Sequence, residues 1–115
     1  MNVYTSGSVT IRAMVKDCSG TAVLPADVSA IKLNIFEYLT PQTPVEAYTN
    51  VTIPTSAMLS TSLTDAHDNE YNFEYNPHDG THPMFPKRQT SYVVELVFFD
   101  SAGKPSAHQM QVDAQ

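Results

Sequence analysis

The sequence predicts an all-β protein, an antiparallel β-sandwich of about seven strands. Two observations carry this expectation. Thr90–Asp100, TSYVVELVFFD, alternates with period two, with Tyr92, Val94, Leu96 and Phe98 on one face. A Gly/Pro turn follows, and a second run alternates His108, Met110, Val112 and Ala114 against Gln109, Gln111 and Asp113. Two alternating runs joined by such a turn are a β-hairpin. The second observation is compositional. Charged residues make up only 16%, below what a helical bundle or a disordered chain carries, and eight prolines with four glycines provide turns.

The other elements follow along the chain. Residues 1–7 are polar and aperiodic and read as an N-terminal arm, with the sandwich domain over 8–115. Residues 8–16 alternate Val9, Ile11, Ala13 and Val15 inward against Thr10, Arg12, Met14 and Lys16. Asp17-Cys18-Ser19-Gly20 is a turn that places its glycine at positive φ. A connection with Pro25 leads to a second strand over 29–38, with Ile31, Leu33 and Ile35 inward and Lys32, Asn34 and Phe36 outward. Pro41 and Pro44 make 39–44 a loop. Residues 45–53 hold one or two short strands that end at Pro54, and 54–63 read either as a short helix capped by Thr55 or as a strand. After a polar turn at 65–69, Glu70–Tyr75 forms a strand with Tyr71, Phe73 and Tyr75 on one face. Residues 76–89 are a long polar, proline-bearing loop. The expected core is Val9, Ile11, Ile31, Leu33, Ile35, Phe73, Tyr92, Val94, Leu96 and Phe98.

At 115 residues the chain is one domain by size and can bury a core without staples. The net charge is −6, and of the six basic residues only Lys87 and Arg88 are adjacent. Nucleic-acid binding needs clustered cations, so no nucleic-acid partner is expected, and no attraction to anionic membranes. A single cysteine, Cys18, leaves no internal disulfide and reads as a turn residue. No apolar run follows the polar start and none reaches membrane-spanning length, so the expectation is synthesis in a cytoplasm without a secretory signal.

From Glu70 onward, YNFEY and MFPKRQTSYVVELVFFDSAGKPS resemble the last strands of an immunoglobulin-like or fibronectin type III-like domain. The resemblance places Tyr92 at the tyrosine corner, where a buried hydroxyl bonds back to the preceding connection. Val94 stands where an antibody-type domain has its second cysteine, and the chain has no tryptophan, so the resemblance stops at the broader sandwich. TAVLPADVSAI between two strands, the FP loop and YVVELVF also resemble small Ig-like structural proteins of tailed bacteriophages. That resemblance implies capsid decoration or cementing, or a neck or tail position, in the virion, with other virion proteins such as the major capsid protein as partners and a homo-oligomer as a further possibility. It brings no functional residues with it.

The residues themselves offer little chemistry. His78 and His82 flank Asp79, but Pro77, Gly80 and Pro83 forbid the helix on which a His-x3-His pair binds zinc. The Asp65 to Asn69 segment lacks the glycine of a calcium loop. There is no nucleophile elbow and no phosphate-cradling glycine loop. The expectation is therefore no enzyme, no cofactor and no metal. The outward faces of the two best strands carry Val93, Val97 and Phe99, and Phe36 and Tyr38. A sandwich buries one face of each sheet, so these five residues are the candidate interface. The alternative is an extracellular adhesion or carbohydrate-binding module using Tyr48, Tyr71 and Tyr75 as an aromatic platform.

Overall fold

The computed structural model describes residues 2–3 by their backbone and residues 9–38 and 43–115 in full. The expected arm at 1–7 beyond Asn2–Val3, and residues 39–42 of the expected proline loop, lie outside the described residues. The strands are β1 (Asn2–Val3), β2 (Ile11–Ala13), β3 (Val28–Glu37), β4 (Val51–Ile53), β5 (Met58–Thr64), β6 (Glu70–Tyr75), β7 (Thr90–Asp100) and β8 (Pro105–Ala114). Among the described residues there is no α-helix, only three single 3-10 turns.

Two sheets pack face to face. The larger runs β8-β7-β3-β4, all antiparallel, with the two-residue β1 added in parallel beside β8. The smaller is antiparallel and runs β2-β6-β5. This strand order is that of an immunoglobulin-like sandwich, with B-E-D facing G-F-C-C′. The fold therefore bears out the expected all-β sandwich.

The core forms where the alternation predicts it. Ile31, Leu33 and Ile35 of β3 and Tyr92, Val94, Leu96 and Phe98 of β7 are buried, as are Ile11 and Phe73; Val9 is half-buried. Phe73 and Phe98 meet edge to face across the two sheets, with centroids 5.6 Å apart.

Four local expectations need correction. The first strand is only Ile11–Ala13, because beyond Ala13 the chain leaves β6 and pairs with itself through Lys16 and Ala22. Asn72, on the outward side of the alternation, is buried and takes the place of that lost pairing. Its Oδ1 accepts the Val15 amide at 2.7 Å, and its Nδ2 donates to the carbonyls of Val15 and Val23. Of the two readings of 54–63 the strand is found, as β5 from Met58, and the helix is not: Thr55–Ala57 form a single 3-10 turn after Pro54, so Thr55 caps no helix. The 76–89 loop is not simply polar: Met84 and Phe85 are fully buried and close one end of the core, Phe85 lying against Tyr92. Tyr71 is buried but packs outside the main core, with the Arg12 guanidinium 4.7 Å from its ring centre.

Candidate functional site

The outer face of the larger sheet is organised in rungs fixed by strand register. Phe36 of β3 lies opposite Val93 of β7, which lies opposite Gln111 of β8. The next rung is Asn34, Glu95 and Gln109, then Lys32, Val97 and Ala107, then Ala30, Phe99 and Pro105. The register thus joins four of the five candidate interface residues on one face. Tyr38 follows β3, and its amide donates to the Ser91 carbonyl.

Their exposures differ. Val93 is 5% exposed and therefore already covered, while Phe36, Val97 and Phe99 are half-buried. Tyr38 is 56% exposed and is the large aromatic the face offers most openly. Between the apolar rungs runs a polar stripe: Glu95 accepts hydrogen bonds from Gln109 at 2.8 Å and from Asn34 at 3.4 Å. Lys32 Nζ donates to the Thr52 hydroxyl at 2.6 Å. Its charge is thus held toward β4, on the side of β3 away from Val97.

The histidine loop is a turn built on one carboxylate. Asp79 accepts the amides of Thr81 and His82 at 2.8 and 2.7 Å, and its other oxygen lies 2.7 Å from His82 Nδ1. The His82 and Thr81 amides and the His82 ring hold the carboxyl well below the usual carboxylate range. The buried Tyr48 hydroxyl donates to the His82 carbonyl at 2.6 Å, and burial raises its pKa. His78 Nδ1 accepts the Gly80 amide, which gives that ring a structural task as well. Among the described residues, no group of three or more His, Cys, Asp or Glu side chains is placed to hold a metal ion.

The opposite end of the sandwich carries three turns of one design. Asp17, Asp65 and Asp100 each accept the amides two and four residues ahead on one carboxylate oxygen. In each, the residue three ahead has positive φ: Gly20, Asp68 and Gly103. These are hairpin loops in which a type I turn is followed by a residue in the left-handed region. The sequence signal, D-x-x-G or D-x-x-D, is visible at all three, though composition alone marks only "turn". Val15, Val28 and Phe98 floor a cleft of about 390 Å3 between the first and third of these turns, rimmed by Asp17, Asp100 and Lys104. Cys18 is exposed at its edge.

Tyr48 and Tyr71 are buried, so they cannot form the aromatic platform that sugar binding needs. Comparison with known proteins returns no matching family model, no matching curated protein and no matching solved structure.

Proposed function

We propose that this domain is a non-enzymatic binding module that docks on neighbouring protein subunits through the outer face of its larger sheet. The observation that carries the reading is the register that sets Val97 and Phe99 in adjacent rungs on one side of the polar stripe and Phe36 on the other, with Tyr38 open at the end of β3. Full burial of each half-covered side chain adds roughly 1 kcal/mol or more to docking. The polar stripe of Asn34, Glu95 and Gln109 gives such a contact direction as well as area. The setting we propose is a bacteriophage particle, as capsid decoration or a head-tail component beside the major capsid protein. The resemblance of the sequence to small phage Ig-like proteins supports that setting.

The double change Val97→Asp, Phe99→Asp tests the docking face. Wild-type protein should co-sediment with purified shells, and the variant should stay in the supernatant with its strand circular dichroism intact. Equal co-sedimentation of the folded variant would remove this face from consideration. Gene neighbourhood tests the setting: portal, terminase or capsid genes alongside support it, and a neighbourhood of secreted adhesins overturns it.

A further inference from the structure

The sandwich has open sheet edges, and three of them are guarded. β2 and β4 have three residues each, and β4 runs directly into Pro54. β5 is longer, but its register with β6 shifts between Met58 and Leu63, which bends its edge. Short strands and bulges are the devices that keep edges from pairing with other chains. β8 has neither. It holds ten consecutive pairs with β7 without a register shift, and among the described residues β1 lies beside it at Asp113 and Ala114 only.

The direction of its free groups follows from the hairpin. The Asp100 amide donates to the Lys104 carbonyl, and the Tyr38 amide donates to the Ser91 carbonyl. Even-numbered residues of β7 therefore face β8, and odd-numbered ones face β3. By the alternation of an antiparallel ladder, Ser106, His108 and Met110 turn their amides and carbonyls toward β7. Ala107 and Gln109 turn theirs away from the sheet. Pro105 bounds this window at one end, having no N–H to offer. At the other end Gln111 is tied by its side chain to Asp113, beside β1. Ser106 to Met110 contains no Asp, Glu, Lys or Arg, in a chain of net charge −6.

We infer that this edge pairs with the same edge of a second copy, antiparallel, about a two-fold axis at His108. That register sets Ala107 opposite Gln109 of the other copy and Gln109 opposite its Ala107. It satisfies both outward amides and both outward carbonyls of each chain, with four backbone hydrogen bonds in all. Isologous contacts need such self-complementarity, and no like charges meet across the axis. His108 is held in place for the contact by its edge-on packing against Phe98, centroids 5.4 Å apart. The two larger sheets become one continuous sheet. This pairing uses the edge and not the outer face, so it stands apart from the docking reading.

Light scattering on the full chain, from micromolar to millimolar concentration, tests it. The apparent mass should rise from one chain toward two. Gln109→Pro removes an outward amide that has no role in the β7 ladder, together with the side-chain hydrogen bond to Glu95, so this variant should melt slightly lower, keep its strand circular dichroism and keep the mass of a single chain throughout. Hydrogen exchange on the wild type provides a second reading that needs no variant. The Ala107 and Gln109 amides should become at least tenfold more protected as concentration rises, while those of Ser106 and His108 are protected at every concentration. A wild type that stays single-chain at millimolar concentration overturns the inference. So does a Gln109→Pro protein that still doubles, or a doubling that leaves the Ala107 and Gln109 amides unprotected.

Discussion

The main-chain amide of Lys87 donates a 2.8 Å hydrogen bond to the hydroxyl of Tyr92, five residues ahead at the start of β7. The same lysine reaches Glu37 at the end of β3 with its ammonium, at 3.2 Å. One residue of a loop without regular structure is thus tied to two core strands. Met84 and Phe85 just before it fill the end of the core. This is the geometry of a tyrosine corner. Burial, the first cause, raises the Tyr92 pKa, so the hydroxyl keeps its proton and its place.

Tyr92→Phe should therefore destabilise the domain by roughly 1–2 kcal/mol. The ring stays packed against Phe85, but the Lys87 amide loses its acceptor in a partly buried site. Urea unfolding measures the change, and a loss under about 0.3 kcal/mol would mean that packing alone holds the loop.

Asn72 supports a second prediction. Its side chain bonds both backbone groups of Val15 in a buried site and the carbonyl of Val23 in a partly buried one. Asn72→Ala strands the Val15 amide and the Val23 carbonyl, while the Val15 carbonyl keeps the Val23 amide, and should cost about 2 kcal/mol or more. Asn72→Asp keeps an acceptor for the Val15 amide but sets a carboxylate against two carbonyls, so it should be no milder. Equilibrium unfolding of both variants gives the comparison.

These two sites show what the sequence could and could not convey. Strands β3, β6 and β7 are legible to within a residue, because one face of each is buried and period two writes that burial into the chain. The hairpin is legible as well, although β8 starts earlier than its alternation shows, at Pro105. Asn72 is not legible. Alternation assigns it to the outer face, and only the departure of the chain after Ala13 turns its amide into a substitute for a strand. Met84 and Phe85 are hidden for a related reason: a loop has no period, so a buried pair within it leaves no pattern. The rungs of the outer face are half legible. Alternation names Val93, Val97, Phe99 and Phe36, but only the register shows which stand together and that Val93 is already covered.

The shared turn design predicts opposite outcomes for two substitutions. Gly103 has φ +81, with open space where a Cβ would stand, so Gly103→Ala should cost about 1–2 kcal/mol through backbone strain alone. Asp68 holds the equivalent place in its turn at φ +60. Asp68→Gly relieves the same strain and should be neutral or stabilising, by less than about 1 kcal/mol. Thermal melts of the pair decide this, and equal destabilisation of both would mean that the turns do not share one design.

The pH dependence of stability follows from the same carboxylates. Asp17, Asp65, Asp79 and Asp113 all have folded pKa values below their ordinary ones. For Asp17 and Asp113 the leading cause is a serine hydroxyl, and for Asp65 and Asp79 it is the amides of their own turns. A depressed carboxyl contributes stability that is fully present above its unfolded value, near pH 4, and is lost as pH falls through the folded one. Tyr48 and Tyr92 have the opposite displacement, upward through burial, so their contribution is whole below about pH 10 and is lost above it. The melting temperature should thus change little from these groups between pH 5 and 9, and fall at both extremes. Asp65→Asn separates the turn from general acid effects, because its amide oxygen can still accept the His67 and Asn69 hydrogen bonds without titrating. The drop between pH 5 and pH 2 should be smaller in this variant than in the wild type. An identical drop would show that Asp65 has the same pKa folded and unfolded, and that its hydrogen bonds favour the carboxylate no more than water does.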